Sequence, residues 1–109
     1  MPETTFNLYS YDGPAFVNGV QFGEVHLRES ADSDGGTIRK SWEGEGVVST
    51  SDAPEVSPAW ADIEGPIEVR LPAGGTGLAH LTAMALTDGR MWSVELVGEG
   101  PSPMANAQP

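Results

Sequence analysis

Apolar and polar residues alternate along most of this chain with a period of two. The alternation is cleanest where Ile67, Val69 and Leu71 flank Glu68 and Arg70, and again where Trp92, Val94 and Leu96 share one face. This spacing sends one set of side chains to a core and the other to water, as in a half-buried β-strand. Residues 5–11 repeat it, with Phe6, Leu8 and Ser10 against Asn7, Tyr9 and Tyr11. Over residues 20–29, Val25 and Leu27 are expected to face inward, and His26 and Arg28 outward. In residues 37–43, Ile38, Lys40 and Trp42 share a face, which predicts Trp42 at the sheet's rim with its indole N–H exposed. Residues 78–86 set Ala79, Leu81, Ala83 and Ala85 against Leu78, His80, Thr82, Met84 and Leu86.

Turn signals separate these runs. Asn18-Gly19 and Asp88-Gly89 each sit between apolar segments, and both pairs accept the positive φ of a tight hairpin turn. Asp12-Gly13-Pro14 and the polar stretch 31–36 read as further turns, and Gly44 and Gly46 as a bend before Val47. Residues 51–65 hold two prolines, four carboxylates and Trp60 without alternation, predicting a long loop with one short helical turn at 58–63. Trp60 is then either a plug over the end of the core or an exposed contact residue.

No segment keeps a helical apolar period, so the fold class is all-β: a single antiparallel β-sandwich or small β-barrel of about seven short strands. Residues 1–98 form the β domain, and residues 99–109, with three prolines, an extended C-terminal tail. Trp60, Pro101, Pro103 and Met104 are the candidate partner-binding residues.

Composition narrows the function. Of 109 residues, 14 are Gly and 9 Pro, which favours turns over long helices. Sixteen acids against five bases give a net charge of −11. That balance disfavours nucleic acid, whose binding draws on Lys and Arg, and an anionic membrane surface. With no cysteine, disulfides and thiolate chemistry are excluded. The first ten residues lack the basic and apolar regions of a secretory leader, and no run approaches the ~20 apolar residues of a membrane span. A cytoplasmic protein, or one assembled into a particle made there, is expected.

Candidate chemistry is sparse. The run LPAGGTG lacks the Lys-Ser/Thr and following helix of a phosphate loop, and reads as a turn. Asp32, Asp34 and Glu43 match three positions of a calcium loop, but Gly36 and Thr37 stand where a ligand and the bend glycine are needed. His26 and His80 are the only imidazoles, too few for a zinc site by themselves. No catalytic, metal or cofactor residue is assigned.

Four features stand out together: Tyr11-Asp12-Gly13-Pro14-Ala15, Trp42 followed by Gly44, the Gly74-Gly75-Thr76-Gly77 turn, and Trp92 leading to Val97-Gly98-Glu99-Gly100-Pro101. In combination they resemble an uncharacterised actinobacterial domain of unknown function, found alone and fused to flavin-containing monooxygenases. The resemblance implies an accessory or binding module without flavin or nicotinamide motifs of its own. The expected function is therefore a non-enzymatic module acting through protein–protein contacts, with a protein partner or as a homo-oligomer, as an accessory subunit or a component of a large assembly such as a phage particle. One alternative is a small-ligand-binding barrel lined by Trp42, Trp92, Tyr9 and Met84. Another is a small hydrolase or isomerase, which would need His26 or His80 in a cleft beside a carboxylate.

Overall fold

The computed structural model describes residues 4–106. Six strands run in order: β1 (Thr4–Val17), β2 (Val20–Asp34), β3 (Thr37–Ser49), β4 (Ile67–Arg70), β5 (Thr76–Thr87) and β6 (Met91–Glu99). They form one antiparallel sheet that closes into a barrel in the order β1-β2-β3-β6-β5-β4. The all-β expectation therefore holds, with six strands in place of about seven, and most of them long.

The strands are longer because several expected turns are bends within a strand. Gly13 has φ of 154°, and the β1–β2 register shifts between Gly13 and Ala15, so β1 kinks at Asp12-Gly13-Pro14 and continues. Glycine tolerates this backbone where other residues strain, and a bulge bends a strand without ending it. β3 likewise runs straight through Gly44 and Gly46. There a Cβ on Gly44 would meet Leu27 Cδ2 at 2.3 Å, and one on Gly46 would meet Phe22 and Val25 at 3.0 Å. These glycines make room for core side chains of the neighbouring strand β2. The two predicted hairpins are present, with Asn18 and Gly19 at φ of 52° and 79° and Asp88 and Gly89 at 53° and 65°.

The core contains Val17, Phe22, Val25, Leu27, Trp42, Val69, Trp92, Val94 and Leu96 among its buried members. Each apolar side chain moved from water contributes about 1.5–3 kcal/mol, opposed by the entropy of ordering the chain. The inward sets over β2, β4 and β6 are those the alternation predicts. One placement differs. Trp42 is buried, and its indole Nε1 is enclosed without a hydrogen-bond partner, because its ring lies on Gly98, which has no side chain to hold it off. In β5, the register shifts between Leu81 and Ala83, so Met84, not Ala83 or Ala85, comes to the partly buried side against the core.

The barrel closes by a narrow seam. β1 meets β4 at only two positions, Phe16 with Arg70 and Val17 with Val69, and the Arg70 guanidinium lies 4.6 Å from the Phe16 ring centroid. Within the β1–β2 turn, Asn18 N–H donates to the Glu68 carbonyl at 2.8 Å. The loop between β3 and β4 carries the expected short helix, a 3-10 turn at Pro58–Asp62 capped by the Ser57 hydroxyl.

Candidate functional site

Past the barrel, β1, β2 and β3 continue as a three-stranded arm. Its rows pair Phe6 with Ala31 and Lys40, and Thr5 with Asp32 and Arg39, and β2 and β3 meet as far as Asp34 and Thr37. Paired residues share a face, so parity assigns Phe6, Tyr9, Ala31, Lys40 and Ile38 to the side that forms the barrel interior farther along. On the arm that side is only partly covered. Ala31 is buried, whereas Phe6 is 49%, Tyr9 52% and Ile38 65% exposed, and Leu8 beside the β1 bulge is 39% exposed. The apolar alternation thus outruns the barrel by about two rows of residues.

The arm also differs from the body in charge. Residues 4–11 carry none, and within residues 30–41 Asp32 and Asp34 are matched by Arg39 and Lys40, so the net −11 falls on the rest of the chain. Thr5 Oγ1 donates to Asp32 Oδ1 at 2.9 Å, tying β1 to β2 near the tip.

The four candidate contact residues are not brought together on one surface. Trp60 is buried and stacks on Phe22 with ring centroids 6.3 Å apart, which makes it the plug of the two expected roles. Pro103 is fully buried, Met104 is half-buried against the core, and Pro101 is exposed. The described part of the tail folds back on the barrel. After β6, Ser102 is buried and precedes a single helical turn, α1 (Pro103–Asn106). Its hydroxyl donates to Glu29 Oε1 at 2.6 Å and accepts from Ala105 N–H at 3.1 Å. Pro103 sits against Gly77, where a Cβ would come within 2.7 Å of its Cδ. No alternation announces this docking; the only cue in the sequence is a serine between two prolines.

The two histidines lie far apart in the sheet, His26 on β2 and His80 on β5. His26 Nδ1 is 2.5 Å from Asp12 Oδ1, and its Nε2 is 3.3 Å from Glu24 Oε1. The Asp12 hydrogen bond chiefly raises its pKa above the ordinary imidazole value, aided by the charges of Asp12, Glu24 and Glu45. His26 lines an open cleft of about 360 Å3 with Glu45, Val47, Met84 and Glu95. His80 Nε2 pairs with Glu99 Oε2 at 3.2 Å on the exposed surface. Tyr9, Trp42, Trp92 and Met84 do not line a common cavity: the tryptophans are packed in the core, Tyr9 is on the arm, and Met84 borders the His26 cleft. Among the described residues, no group of three or more His, Asp or Glu is placed to hold a metal ion, and no helix is long and apolar enough to cross a membrane.

These features define a class: a closed six-stranded antiparallel barrel with a packed interior, a docked tail and a projecting three-stranded arm. Comparison with family models, curated proteins and solved structures finds no match to the chain.

Proposed function

We propose that this protein is a non-enzymatic assembly module that acts through protein–protein contacts made by its arm. The observation that carries this reading is the exposure of Phe6, Tyr9 and Ile38 on the face whose continuation is the barrel core. Apolar side chains grouped on an uncovered face of a sheet extension mark a contact surface more often than scattered ones do. The barrel acts as the rigid mount, and its interior is filled by side chains such as Phe22, Leu27 and Leu96. An accessory subunit of an enzyme or a structural component of a particle would both use such a part. The actinobacterial resemblance favours the accessory role.

The test is the native mass of the full-length chain in lysate of its source cells, with and without Ile38→Glu. A defined complex that loses this chain on substitution supports the reading. An 11.4 kDa species in lysate for the unsubstituted chain refutes it.

A second reading is favoured by His26, which does stand in a cleft beside a carboxylate. Both its ring nitrogens face carboxylates, so the arrangement favours an imidazolium that donates protons over a free base. That suits the binding of a small polar molecule better than base catalysis. Perturbation of the His26 and Met84 resonances by a ligand, with the arm unaffected, would establish it.

A further inference from the structure

We infer that the segment after β6 is a releasable strap, latched by Ser102 on Glu29, that pivots at Gly100 and on opening uncovers Trp42 at the root of the arm. Its consequence for partner contact rests on the assembly reading above and adds a means of regulation to it.

The strap crosses the end of the barrel from which the arm projects. It touches β5 where Pro103 sits against Gly77, and β2 where Ser102 bonds Glu29. In the closed sheet, β6 and β3 lie between these two strands. At that end they contribute Gly98 and the Trp42 ring that rests on it. Gly98 pairs with Ala79, which shares a face with Gly77 two residues away, and Glu29 pairs directly with Trp42. A segment that reaches from Gly77 to Glu29 therefore spans Trp42. Burial agrees: Ser102 and Pro103 are fully buried, Trp42 is 2% exposed, and Met104 packs half-buried against the core.

Three features make this cover separable from the barrel. First, among the described residues, the one hydrogen bond that ties residues 101–106 to the barrel is that of Ser102 to Glu29. Second, Gly100 turns the chain out of β6 with φ of 75° and open space around it. Glycine is the residue best able to absorb a change of backbone angles at a hinge. Third, Trp42 Nε1 is enclosed without an acceptor. An indole N–H can only donate, so the closed state leaves unsatisfied a donor that water satisfies on opening, which lowers the cost of release.

Opening lengthens the contact face. The row Tyr9, Glu29 and Trp42 lies on the same side of the arm as Phe6, Ala31 and Lys40. Release of the strap thus extends the exposed apolar face from Phe6 and Tyr9 inward to Trp42. The closed strap limits that face, and a partner that covers the arm's root must displace it.

Native-state hydrogen exchange of the full-length chain, followed by NMR at rising urea below the unfolding transition, tests the inference. The Trp42 indole N–H and the Ala105 amide should exchange through one shared opening, at least about tenfold faster than the barrel amides of β2. This opening should depend only weakly on urea, because it exposes little surface. Trp42→Phe identifies the indole signal among the three tryptophans. Ser102→Ala should speed exchange of the indole by at least about fivefold. The same substitution should raise the share of chain found in the Ile38-dependent complex in lysate.

A Trp42 indole that exchanges only with the slowest β2 amides overturns the inference, as does one whose exchange Ser102→Ala leaves unchanged. A complex that Ser102→Ala does not enrich overturns the strap's part in assembly. If the indole opens only with the barrel while the Ile38-dependent complex forms, the strap fails and the assembly reading stands. If the indole and Ala105 share a local opening while the chain stays at 11.4 kDa in lysate, the strap stands and the assembly reading fails.

Discussion

The Ser102 hydroxyl donates to the buried Glu29 carboxylate across 2.6 Å, joining the segment after the last strand to the middle of β2, 73 positions away. A hydrogen bond to a charged, buried acceptor is among the stronger kinds, and losing its donor leaves the carboxylate short of a partner. Ser102→Ala should therefore destabilise the protein by about 1–3 kcal/mol in urea unfolding. A chain ending at Gly100 should lose more, because Pro103 and its packing on Gly77 go as well. If the shortened chain unfolds at the same urea concentration as the full one, the tail is no part of the folded unit.

Gly98 is the floor under Trp42. An added Cβ would lie 2.1 Å from both Cε2 and Nε1 of the indole, so ring or strand must move. Gly98→Ala should cost about 1–3 kcal/mol, the range for overpacking a core. The indole should also become more accessible, seen as a red shift and stronger quenching in fluorescence. An unchanged midpoint would mean that the strands separate there without cost.

Trp92 is buried on the inner face of β6 beside Val94 and Leu96. Its truncation removes a large side chain and leaves a cavity the barrel cannot fully close. Trp92→Ala should cost about 3–5 kcal/mol in equilibrium unfolding. A loss under ~1 kcal/mol would place the ring on the surface.

The His26–Asp12 pair gives a pH dependence with a definite sign. The pKa of folded His26 is raised above the ordinary value near 6.5, chiefly by its hydrogen bond to Asp12, so protonation favours the folded state. That contribution is fully present below about pH 6.5 and is lost as pH rises through the raised folded value. An NMR titration of the imidazole should give a midpoint above the ordinary value, and Asp12→Asn should bring it down. A midpoint at or below that of an unstructured peptide would show that the pair does not persist in solution.

Exposed apolar residues were the hardest feature to anticipate. In the sequence, Phe6 and Ile38 alternate with polar neighbours just as Val25 and Leu27 do, and period two records which residues share a face, not whether anything covers that face. Coverage depends on how far the opposing strands reach, and β4, only four residues long, ends well short of the arm. Trp60 was legible as one of two roles, and only its stacking on Phe22 selects the plug. The His26 site was half legible. Its outward placement followed from alternation, while Asp12 is brought beside it by the β1–β2 register, in which the two residues pair directly.

The sequence alone determined the all-β class, the Asn18-Gly19 and Asp88-Gly89 hairpins and the inward faces of β2, β4 and β6, because turn chemistry and side-chain alternation are local properties. Tertiary structure decided that the sheet closes, through two residue pairs between β1 and β4, and that Gly98 admits the Trp42 ring. It also decided that the segment after β6 docks on Glu29 and that the first three strands overrun the barrel. Each of these depends on contacts between residues distant in the chain, where strand lengths and the space left by missing side chains set the outcome and local pattern carries no record of it.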